Sequence, residues 1–206
     1  MDQAELYGVL AGLRDIGAVL LEVRAMPAAA PASAATLPVL AHPLRTRRLT
    51  LRPPTSRDDD ATWAFRRLRE VNEWQAGCSA DIAAYRALFA DPVRLASTVV
   101  VQLGQQQAGT VIGDFMLRRE DGWAQHEVAA QARGAQAELG WVLDPAYTGH
   151  DFATEALRAL LRYSFETLGV HRVVASCFLE NEASWRLMER AGMRRESHAV
   201  RESLHR

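Results

Sequence analysis

The feature that most constrains the fold is a strand, a glycine-containing turn, a long helix and a second strand in direct succession. Residues 138–143 alternate as a half-buried strand does and end at Asp144-Pro145. Residues 151–168 place apolar side chains at helical spacing, and Gly169 ends that helix. Residues 171–179 are rich in apolar side chains and are typical of a buried strand. This order predicts a right-handed crossover between two parallel strands.

The rest of the chain from residue 44 onward mixes strands and helices. The predicted elements are a strand at residues 48–52, helices at 58–70 and 81–89, a hairpin of strands 97–102 and 109–118 with a turn at 104–107, a polar segment at 119–135, and a helix at 181–191 that Asn181 caps and Gly192 ends. Such a mixture predicts an α/β or α+β sandwich with helices packed on a sheet.

The N-terminal part of the chain is different in character. Residues 2–25 have the apolar spacing of an amphipathic helix, although a helix to Gly17 and a short strand at 18–23 also fit. Residues 27–43 carry several prolines among alanines and predict a linker. We therefore divide the chain into an extension and linker, residues 1–43, and one domain, residues 44–206. The extension is either a dimerisation element or a loosely attached segment, and we favour the second.

Composition and charge exclude several classes of function. The chain has 24 basic and 25 acidic side chains, so its net charge of −1 argues against nucleic acid or an anionic membrane as a partner. It contains no lysine, which excludes Schiff-base chemistry. The spacing of the histidines and of Cys78 and Cys177 predicts neither a metal site nor a disulfide framework. With no apolar run of about 20 residues and no basic leader, we expect a cytoplasmic protein.

The turn between residues 143 and 152 is the motif suited to chemistry. A short turn with Gly149 that leads into a helix presents unpaired N–H groups at the positive end of the helix dipole. Such a site suits a pyrophosphate. Every strand-to-helix turn has these donors, so a purely structural turn remains the alternative.

Three segments in the right order resemble the GNAT superfamily of N-acetyltransferases. Residues 137–156 are similar to its acetyl-CoA motif, residues 181–193 to its last core helix and residues 48–53 to its first strand. The resemblance covers about residues 44–200 and is nearest to the branch that includes ribosomal-protein N-terminal acetyltransferases. It implies an α+β GNAT-like fold, with a mixed, mostly antiparallel sheet flanked by helices. The chain stops short of the family's last strand, so we expect an unpaired gap or an exposed edge in the sheet. Either a partner chain fills it, as in a strand-exchanged homodimer, or the tail is disordered, or the chain is a truncated gene product; we expect instability or strand-exchanged dimers.

Two residues depart from the family pattern Gln/Arg-x-x-Gly-x-Gly/Ala. Thr148 stands in place of the Gln or Arg, and Asp151 in place of a core glycine. A carboxylate about 5 Å from a phosphate would cost about 3 kcal/mol at an effective dielectric of 20. As the N-cap of the helix, Asp151 would also compete for the amides that hold the phosphate. We therefore expect weakened binding of coenzyme A.

The resemblance implies acetyl-CoA as cosubstrate and direct attack of an amine on its thioester. The cofactor arm would lie where strand 138–143 splays from strand 171–179. The residues expected to contact the cofactor are Trp141, Val142, Leu143, Thr148, Gly149, His150, Asp151, Phe152, Ala153, Thr154, Asn181 and Ser184. Apart from such a contact, Asn181 can act as a plain N-cap.

Two proton transfers accompany the reaction. Glu138 is our candidate base, with Asp114 second, and the alternative for Glu138 is a structural carboxylate paired with an arginine. Met188 occupies the position where many relatives have a proton-donating Tyr, so the resemblance points to Ser184 as the acid; a serine that only packs is the alternative.

The acceptor is a small-molecule or peptide amine that the sequence does not identify. Trp74, Trp123 and His126 are candidates for the walls of its pocket, although tryptophans are more often core residues. The competing function is a catalytically impaired or truncated GNAT-like domain that acts in binding or assembly, and Asp151, Met188 and the missing last strand favour it.

Overall fold

The computed structural model describes residues 39–104 and 109–199. Their strands form one sheet in the order β1 to β6, with every neighbouring pair antiparallel except β5 and β6, which are parallel. The strands are Leu44–Arg45 (β1), Leu49–Arg52 (β2), Thr98–Leu103 (β3), Val111–Glu120 (β4), Gln136–Leu143 (β5) and Arg172–Val174 (β6). The predicted mixed, mostly antiparallel sheet flanked by helices is therefore confirmed, and so are the hairpin and the parallel crossover.

Helices connect the strands at three places and follow the sheet at a fourth. They are Asp58–Arg66 (α1), Arg69–Asn72 (α2), Ile82–Phe89 (α3), Pro92–Ser97 (α4), Phe152–Glu166 (α5) and Glu182–Arg190 (α6), with 3-10 segments at His126–Ala132 and Pro145–Tyr147. The predicted helix at 58–70 is interrupted because Leu68 adopts an extended backbone before α2. Asp81 and Asn181 cap α3 and α6 with their side chains, as helix N-caps do.

The core lies between one face of the sheet and helix α5. Alternate residues of the central strands point to this face, so side chains such as Val99, Val101 and Leu139 are buried. Ala156, Leu157 and Leu160 of α5 are fully buried against them. This packing fixes α5 against the sheet and so fixes the turn that precedes it.

One predicted strand is largely wrong. Residues 171–179 were expected to form a buried strand, yet β6 spans only Arg172–Val174, and its residues are exposed or half-buried. It pairs with β5 at Gln136, Ala137 and Glu138 alone. β6 is also the outermost strand of the sheet, so among the described residues no strand pairs with its other edge. Beyond Val174 the chain leaves the sheet.

Two residues before the boundary expected at residue 43 contact the domain. Val39 donates its N–H to the carbonyl of Ala96 at 2.7 Å, and Leu40 is fully buried in the core. The predicted N-terminal helix or strand, most of the linker, the turn at 105–107 and residues 200–206 lie outside the described residues. No helix of the described ranges is long and apolar enough to span a membrane.

Candidate active site

The turn before α5 has free backbone amides at its centre. Gly149 has φ of 78°, a left-handed conformation that glycine adopts without a Cβ clash. The first helical hydrogen bond runs from the Glu155 N–H to the Asp151 carbonyl at 3.0 Å. Within the described ranges, the N–H groups of residues 149–154 meet no hydrogen-bond acceptor. They therefore form the set of donors that an anion at a helix N-terminus requires.

Asp151 occupies the N-cap position, as expected, but its carboxylate does not cap the helix. Its backbone is left-handed, with φ of 62°, and its side chain makes no cap hydrogen bond. The prediction that this carboxylate competes for the turn amides is therefore wrong. The left-handed backbone also explains why the family pattern has glycine at this position, since other residues adopt it at a cost.

A carboxylate that sequence reasoning missed anchors the turn to the sheet. Glu155 accepts hydrogen bonds from the Thr46 hydroxyl at 2.6 Å and from the Arg48 backbone N–H at 2.8 Å. The Arg48 guanidinium donates to its other oxygen at 2.7 Å and lies 4.5 Å from the centre of the Phe152 ring. Burial acts to raise the pKa of Glu155, but these hydrogen bonds outweigh it, and the net shift is downward. We call these four residues the Glu155 clamp.

Strands β5 and β6 separate after the pair Glu138 and Val174. Backbone groups alternate in direction along a strand, and the Asp144 N–H is bonded to the Ile112 carbonyl on the β4 side at 2.8 Å. The N–H and C=O groups of Trp141 and Leu143 therefore point away from β4, into the gap that β6 leaves. Those of Val142 point to β4, so its backbone does not face the gap.

A groove of about 650 Å³ opens at this gap, and we call it the central groove. Leu139, Gly140, Trp141 and Val142 line it from β5, while Asn181 and Ser184 line it from the start of α6. The Asn181 side chain accepts a hydrogen bond from the Ser184 N–H at 3.2 Å. The predicted pair on α6 thus faces the same space as β5. Trp74 lines the groove too, whereas Trp123 is 91% exposed and, like His126, lies elsewhere.

Each candidate base is held by an arginine. Glu138 forms an ion pair with Arg118, the residue directly opposite it on β4. Asp114 is buried and accepts two hydrogen bonds from the Arg66 guanidinium, one of them at 2.8 Å from Nε. Burial alone would lower the pKa of Arg66, but the nearby Asp114 carboxylate raises it by more, so the net shift is upward. The alternative role of Glu138, a structural carboxylate paired with an arginine, therefore has its partner in Arg118.

Cys177 is a groove residue that the sequence did not single out. It lies on the chain that leaves β6 and lines the central groove. Its side chain is exposed, but partial desolvation still raises the pKa of its thiol, although Arg195 opposes the shift. A raised pKa disfavours the nucleophilic thiolate.

The two turn residues of uncertain role have different environments. The Thr148 hydroxyl donates to the Pro145 carbonyl at 2.8 Å, so it stabilises the turn. His150 is exposed, with its ring 5.7 Å from that of Phe152. In the described part of the chain, no cluster of three or more histidine, cysteine or acidic residues has metal-binding geometry.

Comparison with known proteins gives consistent matches. A curated relative, the uncharacterized N-acetyltransferase YnaD of Bacillus subtilis (strain 168), is 42% identical over 82 residues. These residues are 39% of this chain and 48% of the relative, so the match spans about half of that protein.

Two solved structures share the fold. A GNAT-family acetyltransferase from Bacillus anthracis is 26% identical with a TM-score of 0.63, covering 75% of this chain and 85% of that one. RimJ of Mycobacterium smegmatis in complex with CoA-disulfide is 22% identical with a TM-score of 0.56, covering 72% and 71%. The family model described as an acetyltransferase (GNAT) domain matches residues 48–194. The resemblance predicted from the sequence is confirmed, and the chain belongs to the GNAT acetyltransferase family.

Proposed function

We propose that this chain transfers the acetyl group of acetyl-CoA to a primary amine, which attacks the thioester directly. The observation that carries the proposal is the meeting of two sets of free backbone groups at one end of β5. These are the amides of residues 149–154 and the strand edge at Trp141 and Leu143. Membership in the family supports it, as does the fold shared with a protein solved with a form of coenzyme A.

The described residues fit the cosubstrate in two ways. Acetyl-CoA supplies an activated acetyl group on a long arm that carries amides and ends in an anionic pyrophosphate. The turn amides would bind the pyrophosphate. The free N–H and C=O groups of Trp141 and Leu143 would bind the amides of the arm, as a sheet edge binds an added strand. Positioning of this kind contributes up to about 7–11 kcal/mol to a reaction between two bound groups.

The proton donor in this scheme is Ser184. Its hydroxyl has no hydrogen-bond partner within the described ranges, and it faces the central groove one helical turn after Asn181. A leaving thiolate with a pKa of about 8.5 gains from a nearby donor. The base in this scheme is Glu138. It does not itself line the central groove, but Arg118, which holds its carboxylate, does, so the proton would reach Glu138 through water.

Cys177 supports direct attack over an acyl-enzyme route. A cysteine nucleophile requires a thiolate, and partial desolvation raises the pKa of this exposed thiol and so disfavours the thiolate. The groove therefore offers a place for the acceptor amine rather than a cysteine that takes the acetyl group first.

The charges of the central groove favour an acceptor that is not a polycation. Its described lining contains two carboxylates, Asp91 and Asp114. Asp91 accepts a hydrogen bond from the Arg94 N–H at 2.9 Å, and Asp114 is held by Arg66. The N–H that Asp91 accepts is a backbone group, so Asp91 keeps its charge, but three arginines (Arg66, Arg94 and Arg118) outnumber the two carboxylates, and the lining offers no net negative charge to an acceptor with several positive charges. A peptide N-terminus or a singly charged amine fits better.

Calorimetry followed by an acceptor panel tests the proposal. We expect saturable binding of acetyl-CoA and release of free CoA with peptides that begin with Ala or Ser. Spermidine and kanamycin, as polycations of similar reach, should be poor acceptors. Binding of acetyl-CoA without turnover on any amine would support the competing function, an impaired domain that acts in binding. The absence of binding would refute the cofactor site itself.

A further inference from the structure

A second groove runs along one side of α5 and starts at the turn. It has a volume of about 770 Å³, and its walls are α5 and the turn between β1 and β2. We call it the arginine groove. Its charged lining residues are Arg45, Arg47, Arg48, Arg158, Arg162 and Arg190 against Asp151, Glu155 and Glu166. Positive charge is therefore concentrated here, in a chain whose net charge is −1.

Most of these arginines have no counter-ion. Glu155 is committed to Arg48 at 2.7 Å. Arg45, Arg47 and Arg162 are exposed, and no carboxylate of the described residues lies within ion-pair distance of them. Like charges gathered in one groove repel each other. A bound anion would relieve that repulsion.

The groove is continuous with the proposed pyrophosphate site. Asp151 and Thr154 belong both to the groove lining and to the turn that carries the free amides. Thr154, Arg158 and Arg162 follow at four-residue spacing on one face of α5. At the helical rise, the two arginines lie about 6 and 12 Å along the axis from Thr154.

A second observation at the shared end also indicates an anion. The Thr154 side chain is buried, and its Oγ1 is without a hydrogen-bond partner in the described structure. A buried hydroxyl without a partner is destabilising. An anion oxygen placed between the turn amides and Arg158 would give this hydroxyl an acceptor after a rotation of its side chain.

We propose that the arginine groove binds the 3′-phosphate of the cosubstrate's adenosine, with Arg158 and Arg162 as its principal donors and Arg47 on the opposite wall. This inference rests on the proposed function. Coenzyme A carries, besides its pyrophosphate, a phosphomonoester with a charge of about −1.5 to −2 at neutral pH. The guanidinium group matches phosphate geometry with paired N–H donors. Arg158 donates one N–H to the Arg190 carbonyl at 2.6 Å, which holds its guanidinium in place without neutralising the charge. A groove that begins at the pyrophosphate site and whose arginines mostly lack a counter-ion therefore fits this phosphate.

Calorimetry with CoA and 3′-dephospho-CoA tests the inference without turnover. We expect wild-type protein to bind CoA about tenfold more tightly than 3′-dephospho-CoA, as charged hydrogen bonds to one phosphate would produce. The R158Q/R162Q variant should lose most of that ratio and bind 3′-dephospho-CoA as wild type does. Arg133, exposed and distant in sequence from the groove, supplies the control R133Q, which should keep the full ratio.

The outcomes separate the two proposals. Equal affinity of wild-type protein for both compounds would overturn the 3′-phosphate site and leave the proposed function standing. No binding of either compound would overturn both. Binding of a short RNA that R158Q/R162Q abolishes, with an unchanged CoA ratio, would assign the groove to nucleic acid and overturn the inference.

Discussion

Glu155 holds both the backbone and the side chain of Arg48, with the backbone N–H at 2.8 Å and the guanidinium Nε at 2.7 Å. The two residues are 107 positions apart in the chain. Their contact joins the first turn of α5 to the start of β2 and so fixes the height of the turn amides relative to the sheet. The Glu155 clamp therefore links folding stability to the geometry of the proposed pyrophosphate site.

Removing the charge of Glu155 should lower the folding stability and weaken cofactor binding at the turn. We expect Glu155→Gln to lower the free energy of unfolding by about 1–3 kcal/mol at pH 7, because charge-assisted hydrogen bonds are lost. Its acetyl-CoA affinity should fall as well. Urea unfolding and calorimetry measure the two effects. Glu127→Gln, at an exposed residue of the 3-10 segment His126–Ala132 and in neither groove, is the matched control and should change neither.

The same variant tests the pKa shift of Glu155. Because its folded pKa is lowered, the wild-type clamp contributes stability above the unfolded value of about 4.3 and loses it as pH falls through the folded value. The difference in unfolding free energy between wild type and Glu155→Gln should therefore shrink below about pH 4. A difference that stays constant from pH 7 to pH 3 would contradict the assigned hydrogen bonds.

One substitution of Asp151 should increase both the thermal stability of the protein and its affinity for acetyl-CoA. Asp151→Gly removes the strain of a left-handed backbone, which costs on the order of 1 kcal/mol for residues other than glycine. It also removes a carboxylate beside the bound phosphates. We expect a higher Tm and a lower Kd for acetyl-CoA. Asp151→Asn keeps the side-chain shape and removes the charge, so it should lower the Kd with little change in Tm.

The sequence predicted the segment from β5 through α5 because its signals are local. Strand alternation, Gly149 and the apolar face of α5 all lie within residues 136–169, and each depends on neighbours along the chain. The clamp was missed because Glu155 and Arg48 meet through the fold, and a single sequence holds no record of that pairing. Arg66 and Asp114, 48 positions apart, escaped notice for the same reason.

The error at residues 171–179 has a different origin. Val173 and Val174 favour a strand, and the apolar residues that follow extend the pattern. A strand also requires a partner, and β5 pairs with this segment at Gln136, Ala137 and Glu138 alone. The composition was therefore compatible with a longer strand, whereas the separation of β5 and β6 that opens the central groove is a property of the whole sheet.

Ser184 and Asn181 should separate in their effects, although both lie at the start of α6. Asn181→Ala should destabilise the protein by about 1 kcal/mol, since the helix loses its N-cap. Ser184→Ala should leave the Tm unchanged and lower kcat by roughly 10²-fold, with KM for acetyl-CoA little altered. Measurement of kcat, KM and Tm for both variants distinguishes a catalytic role of Ser184 from a structural role of Asn181. Full turnover in Ser184→Ala would remove the serine from the mechanism.

Cys177 should be dispensable for turnover in spite of its place in the central groove. The pKa of its thiol is raised by partial desolvation, so the nucleophilic thiolate is disfavoured at neutral pH. Direct attack by the acceptor amine requires no cysteine at all. We therefore expect Cys177→Ser to keep kcat within about twofold of wild type, and Cys78→Ser, also exposed but outside the groove, to behave in the same way. Mass spectrometry after incubation with acetyl-CoA alone supplies the second readout. An acetyl group trapped on Cys177, together with a loss of turnover in Cys177→Ser, would instead establish a route through an acyl-enzyme.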